Sequence, residues 1–65
     1  MTYQPEKPEE FACILNKIRT APKGGYYHNI VGMLLYAMEK HSVADRNALV
    51  RELNLEKIGF TEVQA

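Results

Sequence analysis

Three side chains in this sequence could do nucleophilic, acid–base or metal chemistry: Cys13, His28 and His41. A cysteine attacks or coordinates as its thiolate, which forms at neutral pH only beside cations or a helix N-terminus. Lys17 follows Cys13 by one helical turn, but Glu9 and Glu10 lie about one turn before it and oppose the effect. The histidines could act as general bases. Neither has a carboxylate and a nucleophile beside it, and the two lack the paired spacing of a zinc site. No catalytic set, cofactor site or metal site is therefore expected, and the chain is read as a non-enzyme. Cys13 is more simply an incidental surface thiol. His41 is more simply a satisfied imidazole on a helical core stripe, near a helix C-terminus that favours it.

Residues that could bind anions lie closer together. Lys17, Arg19 and Lys23 precede Gly24-Gly25-Tyr26-Tyr27-His28, and no acidic residue occurs between Phe11 and Met38. Glycines before a helix can expose backbone N–H groups that attract phosphate, and Tyr26 could stack on a base. The GxxxxGK[ST] pattern of a phosphate loop is missing. An ordinary interhelix connection is the simpler account.

Residues 46–64 resemble a helix-turn-helix, with Leu53-Asn54-Leu55 at the turn and Glu56 to Gln64 as the recognition helix. Gly59 falls inside that helix and costs it about 1 kcal/mol relative to alanine. Lys57 is its only basic residue, where phosphate attraction needs several.

The elements that must position these residues are helices. Pro8 suits a first helical position, and Glu9 and Glu10 suit the positive end of the helix dipole. Phe11, Ile14, Leu15 and Ile18 then repeat at i, i+3, i+4, i+7, predicting a helix over about 8–20. Thr20, Pro22 and the glycines end it. A second helix over about 26–41 places Tyr27, Ile30, Val31, Leu34, Met38 and His41 on one stripe, flanked by Leu35 and Ala37. Met33 and Tyr36 lie round the back, beside Asn29 and Lys40, so this helix is apolar on more than one side. Ser42 is a good N-cap for a third helix over about 43–53, with Asp45 in the capping-box position. Its apolar arc is Val43, Leu49, Val50 and Leu53, with Arg46 inside it. Asn54 suits a left-handed helix end. Leu55 to Ile58 reads as a helical turn, and Phe60 to Ala65 as an extended tail with Phe60 as its anchor. The expected organisation is a flexible arm (1–7), one all-α domain (8–58) and a tail (59–65).

Size and charge bound the function. One domain of 65 residues buries only about 60% of its unfolded surface, so small folds commonly add disulfides, a metal or oligomerisation. A single cysteine leaves oligomerisation, and it fits a reducing cytoplasm. Eight basic and eight acidic residues cancel, so no general pull toward nucleic acid or anionic membrane is expected. The start of the chain lacks the pattern of a signal peptide, and no apolar run approaches the roughly 20 residues of a membrane span.

The expected protein is a small cytoplasmic accessory or regulatory factor, homodimeric, that docks a helical surface on an unidentified protein partner by occlusion or scaffolding. Its size suits bacteriophage or mobile-element accessory genes. Gly32, Met33, Tyr36 and Arg46 are the expected partner or dimer contacts, with Gly32 letting another helix approach closely. The alternative is a nucleic-acid-binding regulator. It would use the helix-turn-helix-like segment or the basic loop, with Lys17, Arg19, Lys23, Tyr26 and His28 as contacts.

Overall fold

The computed structural model describes residues 3–64. Among them are three α-helices, α1 (Pro8–Thr20), α2 (Tyr27–His41) and α3 (Val43–Glu52), then a 3-10 turn (Leu55–Ile58), and no strand. The helices start and stop within a residue of the positions that periodicity and caps predict.

The ends follow local chemistry. Pro8 opens α1, with Glu9 and Glu10 in its first turn and Lys17 and Arg19 in its last. Ser42 both ends α2 and begins α3. Its N–H donates to Met38 O at 2.8 Å, and its Oγ accepts from the Asp45 N–H at 3.1 Å. One extended residue, at φ −167°, thus makes the whole turn between helices. Asn54 takes the left-handed conformation at φ 56°. The 3-10 turn closes on Gly59 at φ 101°. There the Gly59 N–H donates to Glu56 O at 3.0 Å and the Phe60 N–H to Leu55 O at 3.1 Å. This paired 5→2 and 6→1 pattern is the Schellman closure.

Helix α2 is central and packs against both α1 and α3. The core is Phe11, Ile14 and Ile18 from α1, Val31, Leu35 and Met38 from α2, Ala48, Leu49 and Val50 from α3, and Leu55. The buried line of α2 therefore runs through Val31, Leu35 and Met38. Tyr27, Ile30 and Leu34, expected at the centre, are half-buried, and His41 is exposed. Helices on two flanks draw the buried centre toward Leu35. His41 is the last residue of α2 and lines an open groove between α1 and α2.

Both termini are tied to α3. The segment expected to be a flexible arm lies against α3 in its described part, residues 3–7, through hydrogen bonds to Asp45. Tyr3 Oη donates to Asp45 Oδ1 at 2.7 Å, the Glu6 N–H to the same oxygen at 2.9 Å, and the Lys7 N–H to Oδ2 at 2.8 Å. Ser42 Oγ adds a bond to Glu6 Oε1 at 2.7 Å, and the Tyr3 ring tilts against Phe11 at 5.7 Å. The tail is extended as expected and is also tied to α3, through Arg46, Asn47 and Arg51. Residues 1, 2 and 65, which the sequence places in the arm and tail, lie outside the described residues. No helix among the described residues is long and apolar enough to cross a membrane.

Candidate functional site

The outer face of α2 carries the largest exposed apolar side chains of the three helices. Met33 is 72% exposed and Tyr36, one turn on, 62%. They border an open groove of about 530 Å³, completed by His28, Asn29, Gly32 and Phe60. The Lys40 ammonium lies 4.8 Å from the centre of the Tyr36 ring, covering part of it. Phe60 forms one wall because its ring stacks on His28 at 4.4 Å.

Gly32, expected to admit another helix, already faces Phe60. A Cβ added there would meet the Phe60 ring at 3.5 Å. The open part of this face is therefore Met33 and Tyr36, with Gly32 at the floor of the groove. Arg46, expected at an interface, is used within the chain. Its Nη1 donates to Thr61 O at 2.7 Å and to Asn47 Oδ1 at 3.0 Å, and its Nε lies 3.8 Å from Glu39 Oε1.

A second groove, of about 340 Å³, runs between α1 and α2. It brings Cys13, Lys17, Glu9 and Glu10 together with Leu34, Ala37 and His41. Cys13 is exposed there, as the helical wheel predicts. The cation and the two carboxylates that oppose each other in sequence also share this groove.

Neither a family model, nor a curated protein, nor a solved structure matches this chain. Only the geometry bears on its function.

That geometry separates the expected anion contacts. Lys17 lines the α1–α2 groove, Lys23 stands 5.3 Å over the Tyr27 ring, and His28 is stacked on Phe60. Arg19 is exposed on α1, and Tyr26, 76% exposed, precedes α2. Neither Gly24 nor Gly25 has a positive φ, so the alternating left- and right-handed backbone of an anion nest does not form there. The helix-turn-helix alignment fails in its second half. Leu55–Ile58 is a 3-10 turn that ends at Gly59, and residues 60–64 are extended.

Asp45 is the polar residue whose role the sequence hid. It is fully buried. Burial pushes its carboxyl up, but the hydrogen bonds from Tyr3, Glu6 N–H and Lys7 N–H, with the Lys7 charge, outweigh this and hold it below the usual value of 3.8. Tyr3 moves the other way, from 10.0 to about 12. Its bond to Asp45 is the main cause, followed by burial and the neighbouring negative charges of Asp45 and Glu6. Asn47 is the other missed group, also buried. Both lie on the apolar arc of α3: Asp45 is three and four residues before Ala48 and Leu49, and Asn47 three before Val50. A polar residue on a buried stripe was the available signal.

Proposed function

We propose that this chain is a non-enzymatic accessory or regulatory protein that docks the outer face of α2 on another protein, a second copy of itself first. The observation that carries the reading is the pair Met33 and Tyr36. Each is largely exposed, one helical turn apart, beside a groove the chain's own residues leave open. Met adapts to irregular surfaces and Tyr brings area with a polar tip, which suits both to a protein interface.

A two-fold pairing makes the contact self-complementary, so Met33 of one copy meets the neighbourhood of Tyr36 on the other. The cancelled net charge imposes no general repulsion between copies. Lys40 swings off the Tyr36 ring on docking, which its flexible stem allows at little cost. Docking occludes or scaffolds the partner; no bond is made or broken. The exposed free thiol of Cys13 suits a reducing, cytoplasmic setting.

Light scattering at about 100 μM tests this reading, with Met33→Glu/Tyr36→Glu as the comparison. The wild type should have the mass of a dimer, and a melting temperature that rises with concentration. The double variant should be monomeric with unchanged helicity, since neither side chain belongs to the core. A wild-type monomer whose melting temperature ignores concentration removes self-association.

A further inference from the structure

The tail of this chain is held by groups that read backbone. Asn47 Nδ2 donates to Val63 O at 2.7 Å, and its Oδ1 accepts from the Val63 N–H at 2.9 Å. One side-chain amide thereby pairs with both polar groups of one residue, as a neighbouring β-strand would. Arg46 takes the Thr61 carbonyl. Only Phe60 inserts a large side chain, between His28 and Gly32. Thr61, Glu62, Val63 and Gln64 are all exposed. The Arg51–Glu62 pair is also exposed on both sides, and such pairs contribute little.

We propose that this face of α3, with the His28–Gly32 shelf of α2, is a binding site for extended peptide segments of partner proteins, occupied here in cis by the chain's own tail. The segment it fits carries an aromatic ring three positions before the residue whose backbone Asn47 pairs with. Main-chain bonds supply affinity independent of sequence, and the ring pocket supplies selection, as in other modes of extended-peptide recognition.

Two features support a removable occupant. Arg46 and Asn47 are poorly exposed polar residues beside the buried Asp45 on α3. Asp45 holds the N-terminal segment, whereas the closest bonds of Arg46 and Asn47 beyond α3 go to the tail. The tail in turn buries little apolar surface beyond Phe60, which places it at the low-stability end of the fold. Gly59, at φ 101°, is where the segment leaves the helical body. This site shares His28, Gly32 and Phe60 with the groove beside Met33 and Tyr36, but its test reads peptide binding and Asn47 rather than self-association, so the two proposals fail separately.

The test uses the full chain and a labelled synthetic peptide with the sequence of residues 58–65. A tethered tail competes at millimolar effective concentration, so the wild type should bind the peptide weakly. Phe60→Ala, which weakens the resident tail and spares the receiving side chains, should bind it at least about tenfold more tightly. Val63→Pro removes the N–H that Asn47 accepts and should do likewise, which covers the case in which Phe60→Ala unfolds. Adding Asn47→Ala to either variant, or replacing Phe by Ala in the peptide, should abolish the gain. Failure of a folded tail variant to bind more tightly than the wild type overturns the proposal, as does binding indifferent to Asn47→Ala. A concentration-dependent dimer lost on Asn47→Ala would also overturn it, by making a second copy's tail the occupant.

Discussion

Tyr3 and Asp45, 42 positions apart in the chain, meet in a 2.7 Å hydrogen bond from phenol to carboxylate. The same carboxylate takes the N–H groups of Glu6 and Lys7 just before α1 begins. Asp45 therefore starts one helix from within another. Its own N–H is in turn held by Ser42, so the capping of α3 and the seating of α1 share one residue.

Asp45→Ala should consequently destabilise the fold by about 3 kcal/mol. It strands two backbone donors and a phenol at a poorly hydrated site, and unmade bonds there cost more than made ones contribute. Tyr3→Phe should cost about 1 kcal/mol, because the carboxylate keeps its backbone donors. Urea titration of both variants checks the order. Equal losses for the two, or a loss for Asp45→Ala within the roughly 0.5 kcal/mol of an ordinary surface change, would dismiss Asp45 as an organiser.

The same pair gives stability a pH window with two edges. Asp45 is depressed in the fold, so its contribution is present above the unfolded pKa, near 3.8, and is lost as pH falls through the lower folded value. Tyr3 is raised from 10.0 to about 12. Its contribution is complete below pH 10 and is lost as pH rises toward 12. Melting temperatures across pH should fall at both ends, and Asp45→Asn should flatten both edges. Ultraviolet titration should show one of the four tyrosines ionising late, with most of the delay gone in Asp45→Asn and the part due to burial and Glu6 remaining.

Those residues also show what the sequence could carry. Helices α1 and α2 were legible because each has a periodic apolar stripe and local end signals, and α3 chiefly through its Ser42 cap; Ser42, Asn54 and Gly59 act within a few residues of themselves. Asp45 was legible only as a cap. Its second task joins residues far apart in sequence, and no local pattern encodes a partner at that distance. Arg46 shows the same limit. Its place inside an apolar arc was visible, but the Thr61 carbonyl that satisfies it was not. Met33 and Tyr36 were visible because exposure on the back of a helix follows from helical geometry alone. That Phe60 returns over Gly32 was not legible, because the contact comes from beyond a turn.

Gly59→Ala should cost about 1–2 kcal/mol, since a Cβ at φ 101° is strained. Space is not the obstacle, because the nearest atom to such a Cβ is His28 Nε2 at 3.8 Å. Thermal unfolding of Gly59→Ala beside Gly24→Ala separates the effects. Gly24 has open space and no positive φ, so its substitution should be neutral or slightly stabilising. Equal behaviour of the two would remove the backbone explanation.

Gly32→Ala sets fold against docking. In the isolated chain the added methyl meets Phe60 at 3.5 Å, an ordinary contact. Replacing a mid-helix glycine by alanine contributes about 1 kcal/mol to the helix. The folded monomer should therefore become more stable, by up to about that amount. Docking on the outer face of α2 should respond in the opposite direction, because the methyl fills the floor of the groove between Met33, Tyr36 and Phe60. Denaturant unfolding below the association range reads the first effect, and light scattering at about 100 μM reads the second. A variant more stable and less associated would mean that the glycine serves the surface at the fold's expense. If both quantities rise together, Gly32 has no part in docking, and the contact lies wholly at Met33 and Tyr36.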